Sequence, residues 1–152
     1  MVKEVSVGAV VYKREKEIKY LLLHKAASET YTEQWGFPRG NLEKKETQLQ
    51  TAVREIKEET GLTDLTFEED FREKINFFYK KDGETVFKEV VFFLAELVGK
   101  QDVVISNEHS GYRWMSYETA MKTITYNNTK EVLEKADKFI KERRGQKKLV
   151  EF

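Results

Sequence analysis

The chain has no cysteine, which excludes disulfides, thiolate metal ligands and thiol nucleophiles. It has one proline, Pro38, so only there does a ring fix the backbone. No apolar run approaches the ~20 residues that a membrane-spanning helix needs. Neither sign of charge is in excess: Lys+Arg and Asp+Glu both number 27. A basic footprint of the kind that holds nucleic acid is therefore missing, and nucleic acid is not an expected partner. Repeats, low-complexity tracts and linkers are absent too. The opening MVKEVSVGAVVY reads as strand rather than as a secretory leader, so a cytoplasmic protein with no membrane partner is expected. What remains is 152 residues, 39% apolar and 36% charged, which fits one soluble, highly charged domain over 1–152, expected as a monomer.

Taken in order, Val5 to Tyr12 alternates and is β-branched, and Tyr20 to His24 is a second apolar run; the charged Lys13–Lys19 turn joins them as a hairpin. His24 is read as structural. Ala26 to Gln34 is a polar loop. In Trp35-Gly36-Phe37-Pro38-Arg39-Gly40, Pro38 stiffens the backbone and Gly36 and Gly40 are expected to make tight turns. Phe37 reads as core, and Trp35 equally well as core or as a site wall. Ile75 to Tyr79 and Val86 to Val98 read as strands around the turn Lys81-Asp82-Gly83-Glu84, with Phe78 expected in the core. A short strand is expected at Val103–Ile105 and another at Tyr112–Met115. Glu96, within its strand, reads as surface. Ser116 or Tyr117 opens a helix, and Asn128 to Arg143 is amphipathic through Val132, Leu133, Ala136, Phe139 and Ile140. The RRGQKK tail reads as a solvated terminus. Strands and helices in this order predict an α/β fold with a mixed sheet between helices.

The stretch from Gly40 to Leu62 carries the chemistry. From Glu46, the apolar residues Leu49, Ala52, Val53 and Ile56 have the spacing of a helix with one buried face. Gly61 supplies its stop, and Leu62 can fold back onto the last turn. Glu55, Glu58 and Glu59 then share one face of the final turns, at the negative end of the helix dipole, where cations are preferred. Alone, such a trio is ordinarily a solvated acidic face. Its other reading is a seat for a divalent cation, since hard oxygen ligands suit Mg²⁺ or Mn²⁺.

The spacing of the whole stretch favours the cation. Gly40, five residues, Glu46, seven residues, then Arg54-Glu55-Ile56-Lys57-Glu58-Glu59-Thr60-Gly61-Leu62 resembles the Nudix box, Gx5Ex7REUxEExGU with U aliphatic, at every defined position. The segment from Trp35 to Gly40 is similar to the WxxPxG that commonly precedes the box. Glu108-His109-Ser110-Gly111-Tyr112-Arg113-Trp114 is similar to the EHxxYRW segment of the asymmetrical diadenosine tetraphosphate hydrolases. The resemblance is densest over 35–62. Asn41 and Lys45 depart from it, Lys45 standing where glycine commonly precedes the box glutamate.

The resemblance implies a Nudix fold, an α/β/α sandwich with the box as loop-helix-loop. It implies a Mg²⁺- or Mn²⁺-dependent hydrolase of diadenosine tetraphosphate and related nucleotides. A divalent ion would neutralise the phosphates and acidify a water. Glu55 and Glu59 are expected as metal ligands, and Glu58 as a further ligand or as the base. The Arg39 carbonyl and Glu108 are expected to complete the set. Tyr79, Lys81, Lys88, Arg39 and His109 are expected to meet the substrate, and Glu46 and Arg54 to form a structural ion pair. Hydrolysis of triphosphorylated RNA ends or of damaged nucleoside triphosphates, and a non-catalytic nucleotide sensor, are the alternatives.

Overall fold

The structure is a computed structural model that describes residues 1–29 and 32–150, with side chains as far as residue 143. A long strand β1 (Val2–Arg14) and β2 (Ile18–Lys25) form the expected hairpin, with Tyr12 opposite Tyr20. The segment around Pro38 is two short strands rather than a turn: β3 (Gln34–Gly36) pairs with β2, and β4 (Arg39–Asn41) pairs antiparallel with β1. The box helix α1 (Gln48–Thr60) follows, then β5 (Leu65–Phe67), β6 (Glu73–Lys81), β7 (Glu84–Leu97), β8 (Gly111–Met115), α2 (Tyr117–Thr123) and α3 (Asn127–Val150). β1 and β7 run parallel over 11 residues, Val2↔Val86 to Tyr12↔Glu96, while the other pairings are antiparallel, so the sheet is mixed.

Side-chain alternation splits β1, β2 and β7 between two layers. Val10, Tyr12, Tyr20, Leu22, Val90, Phe92 and Leu94 face α2 and α3, where Ala120, Ile124, Leu133, Ala136 and Ile140 meet them. Ala9, Val11, Leu21 and Leu23 face the other way, toward Ile56 and Leu62 at the box helix. The expected sandwich is present. Tyr20 Oη donates to the buried Asp137 carboxylate at 2.6 Å, so the one acidic side chain buried in α3 is satisfied.

Four local expectations are corrected. α1 starts at Gln48, where Thr47 caps it in a reciprocal box with Gln50. It buries Thr51, Ala52, Ile56, Glu59 and Thr60, and leaves Leu49 and Val53 at 44% and 45% exposed. Residues 103–105 form no strand: Val104 N–H donates to Thr60 O and Ser106 N–H to Glu59 O, so this loop closes the end of α1 instead of joining the sheet. Phe78 lies outward at 62% exposed, because Ile75, Phe77 and Tyr79 occupy the inward parity of β6. Glu96 is half-buried and accepts Tyr12 Oη at 3.3 Å. At the hairpin turn Asp82 and Gly83 both have positive φ, as a two-residue turn of this kind requires. The backbone of α3 carries the RRGQKK tail to Val150, and the side chains of 144–150 lie outside the described residues.

Candidate active site

Gly40 is needed for close approach, not for a turn: a Cβ there would run into the Glu55 carboxyl group. A Cβ on Gly8 would likewise strike Pro38 O and the Arg39 backbone. Gly8 thus lets β1 close on the Pro38–Arg39 segment, and Gly40 lets β4 lie against Glu55 of α1. Arg39 N–H donates to Glu59 Oε1 at 3.0 Å, which fixes that carboxylate from the side of the Pro38 segment. Gly61, at φ 74°, ends the helix with its N–H on Lys57 O at 2.9 Å.

Arg54 is the hub of the box. Its guanidinium meets Glu46 at 2.7 Å, Glu55 at 2.7 Å, Glu58 at 3.3 Å and Glu43 at 3.8 Å, and donates to Asn41 O at 3.0 Å. The expected Glu46–Arg54 pair is therefore present, and its hydrogen bond holds the Glu46 carboxyl down at about 2. One cation serves four carboxylates. Glu59, buried and out of reach of Arg54, has its carboxyl pushed up to about 8, chiefly by burial, with the charges of Glu55 and Glu108 adding to it. Burial raises Glu55 as well, against the pull of Arg54. Among the described residues, no three acidic or histidine side chains converge tightly enough to hold an ion as they stand. Arg54 draws Glu55 and Glu58 toward itself, and Glu59 is tied to Arg39.

The donor set nonetheless suits a hard divalent cation. Glu55, Glu58, Glu59 and Glu108 line one cavity of about 590 Å³. All are oxygen donors, and a buried carboxyl crowded by like charges is relieved by added positive charge. Glu108 reaches the cavity on the loop pinned to the end of α1. The same loop brings in His109, whose N–H donates to Ser106 O at 3.2 Å and whose Nδ1 lies 3.4 Å from Ser106 Oγ. Burial, with Lys25 nearby, lowers the imidazole's affinity for a proton.

A second cavity of about 580 Å³ adjoins the first and is more aromatic, with Ile75, Phe77, Tyr79 and Phe92 in its walls. Lys88 lines it and is 8% exposed, an unusual depth for a lysine, and burial lowers its affinity for a proton. Lys81 does not reach either cavity; it lies at the hairpin end, 3.4 Å from Glu4. Arg39 lines both cavities and so stands where they adjoin. His24 lies outside both, bonded to Glu33 at 2.8 Å and packed on Trp35 with ring centroids 4.6 Å apart. Trp35 is a wall of the first cavity as well as a support of the core.

Sequence reasoning missed Lys25, Gln34, Tyr126 and Thr129, which line both cavities, and the role of Asn41. Asn41 has a signal, since it follows Gly40 directly. Tyr126 sits in the Thr125-Tyr126-Asn127 segment that opens α3, where nothing in the local pattern marks it as facing β4.

Comparison with known proteins agrees with this geometry. The family model of the NUDIX domain matches residues 2–136. The chain is similar to proteins described as asymmetrical bis(5'-nucleosyl)-tetraphosphatase. One from Caenorhabditis elegans is 33% identical over 136 residues, covering 88% of this chain and 94% of that protein. One from Sus scrofa is 30% identical over 143 residues, covering 88% and 92%. Among solved structures, a C. elegans Ap4A hydrolase binary complex superposes with a TM-score of 0.78 at 33% identity, covering 92% of this chain and 98% of that one. With a family match over most of its length and every glutamate of the box in place, the chain belongs to the NUDIX family and is a Nudix pyrophosphohydrolase.

Proposed function

We propose that the protein is a Mg²⁺- or Mn²⁺-dependent hydrolase of diadenosine tetraphosphate and related dinucleoside polyphosphates, releasing ATP and AMP by attack of water at phosphorus. The observation that carries this reading is the pair of adjoining cavities: an acidic one at the end of α1 and an aromatic, basic one under the β6–β7 hairpin, with Arg39 at their junction. A nucleotide has the same polarity, a flat base at one end and a chain of phosphates at the other. The names of the similar proteins from C. elegans and S. scrofa support the same substrate class.

The residues divide the work by their surroundings. Glu55, Glu59 and Glu108, with the Arg39 carbonyl, would hold the divalent ion, which when bound offsets phosphate charge and acidifies a water. Glu58 is 57% exposed and held by Arg54 only at 3.3 Å. It is therefore the carboxylate with freedom to take a proton from the attacking water at one of its oxygens. Arg39 and Lys88 meet the phosphate chain, Arg39 as a planar fork and Lys88 as a point charge. Tyr79 and Phe77 offer faces on which a purine stacks, and His109 stands at the edge of the acidic cavity as a neutral donor. Lys81 acts only indirectly, through Glu4. The soluble nucleotide is the expected partner, and the cytoplasm its expected compartment.

Hydrolysis of diadenosine tetraphosphate in water enriched with heavy oxygen tests the reading. Attack at the phosphorus nearest one adenosine places the label on AMP and leaves ATP unlabelled. Two molecules of ADP, or label on ATP, would refute the assigned cleavage.

A further inference from the structure

Glu4, on β1, lines neither cavity. Its carboxylate nevertheless gathers three side chains of the β6–β7 hairpin. It accepts a hydrogen bond from the Tyr79 phenol, and it lies 3.5 Å from Lys88 Nζ and 3.4 Å from Lys81 Nζ. Lys88 Nζ also donates to Asn41 Oδ1 at 3.2 Å, and the same oxygen accepts Ser6 Oγ at 3.1 Å. The connection thus runs from Tyr79 and Lys88 in the aromatic cavity to Asn41 and Ser6 in the acidic one.

A lysine this buried needs a counter-charge, and its four-carbon stem has much rotamer freedom to lose when it engages a ligand. Glu4 supplies the charge and removes the freedom beforehand. Its contact with Lys88 is long, and Asn41 is uncharged, so neither competes strongly with a phosphate oxygen for the ammonium group. The Tyr79 hydrogen bond, opposed by burial and aided by Lys88 and Lys81, keeps the Glu4 carboxyl ionised. The tie also holds the Tyr79 ring against the wall that Phe77 shares, their centroids 6.3 Å apart.

We propose that Glu4 is a positioning residue for substrate: it pre-orients Lys88 and Tyr79 at the boundary of the two cavities, and Lys88 gives up its long contact with Glu4 for a phosphate oxygen when nucleotide enters. The proposal rests on the reading of the aromatic cavity as a nucleotide site. Against it stands the repulsion between Glu4 and the phosphates. Lys81, paired with Glu4 on its exposed side, screens that repulsion, so the ordering of two side chains outweighs it.

The test is steady-state kinetics with diadenosine tetraphosphate. Glu4→Ala raises KM about five- to tenfold and changes kcat less than about twofold, as for lost binding that ground and transition states share. Glu4→Gln, which keeps an acceptor without the charge, falls between Glu4→Ala and wild type, and it carries the test should Glu4→Ala not fold. In a Lys88→Met, Tyr79→Phe background, Glu4→Ala adds less than about twofold, since its route of action is gone. An unchanged or lower KM in the single variant overturns the proposal. So does an equal rise in the double-variant background. If the wild-type enzyme ignores the dinucleotide, the substrate reading fails on its own account. Calorimetric binding of inorganic tripolyphosphate then decides about Glu4: weaker binding by Glu4→Ala upholds the positioning role, and equal binding refutes it.

Discussion

Arg54 shows how much rests on one side chain. It faces four carboxylates, Glu46 and Glu55 sharing its shortest contacts at 2.7 Å, and it holds the Glu46 carboxyl at about 2 instead of the ordinary 4.5. A carboxyl lowered on folding contributes stability that is present above the unfolded value and lost as pH falls through the folded one. The difference in unfolding free energy between wild type and Glu46→Gln should therefore be constant above about pH 4.5, as expected for carboxylate titration, and close as pH falls toward 2. Urea unfolding across that range measures it, and a gap that persists unchanged at the lowest pH would speak against the pair. Glu58→Gln belongs to the opposite class, removing a charge without disturbing packing. It should lower kcat at least ~100-fold, as for loss of a general base, and leave the melting temperature nearly unchanged. Near-normal turnover in that variant would transfer the role to another carboxylate. These glutamates were legible because their spacing is fixed by the helix. Phe78 was not, since in a strand a parity error of one residue exchanges inside for outside, and neighbouring Phe77, Phe78 and Tyr79 give no local sign of which parity wins.

The helix α1 was legible in extent and only in part in face. Of the four apolar positions, Ala52 and Ile56 are buried as expected, but Leu49 and Val53 are not, and the buried stripe is completed by Thr51, Glu59 and Thr60. Thr51 Oγ1 donates to Glu46 Oε1 at 2.9 Å, and Thr60 Oγ1 to Ile56 O at 2.6 Å. These threonines are buried because their hydroxyls are satisfied, which a hydrophobicity pattern does not register. The expected strand at 103–105 failed for a related reason. Its β-branched residues suit a ladder, but the carbonyls at the end of α1 supply the partners for its N–H groups. The start of α1 depends on the Thr47–Gln50 box. It lies just after Lys45, whose φ of 69° is left-handed in a residue that bears a Cβ. Glycine is common there in the family, and the lysine accepts the strain that glycine would avoid. Thr47→Ala should cost ~1 kcal/mol of stability in urea unfolding, as loss of an N-cap typically does. No measurable loss would mean that β4 and Arg54, not the cap, fix the helix start.

At the scale of the molecule, the sandwich was legible because alternation along β1, β2 and β7 divides each strand between two cores. The paired cavities were not. Their walls come from β1, β2, β3, β4, α1, β6, β7, the 106–109 loop and the start of α3, and residues as far apart as Lys25 and Tyr126 meet there only after folding. The acidic cavity concentrates charge that burial makes costly, so a divalent ion should stabilise the whole fold. At a hundredfold excess over its dissociation constant the gain is ~2.7 kcal/mol by linkage, which for a chain of this size raises the melting temperature by roughly 5–10 °C. Mg²⁺ or Mn²⁺ should produce that rise, and Glu59→Gln should reduce it. A melting curve indifferent to both ions would remove the proposed metal site.

The most direct measurement is a competition for specificity. With Mg²⁺ present, kcat/KM is determined for diadenosine tetraphosphate, ATP, oxidised dGTP and a 5'-triphosphorylated RNA, and the products are identified for each. The adjoining acidic and aromatic cavities predict the highest value for the dinucleotide, with ATP and AMP as products. A higher value for the RNA, with pyrophosphate released, or for either simple triphosphate, would contradict the account.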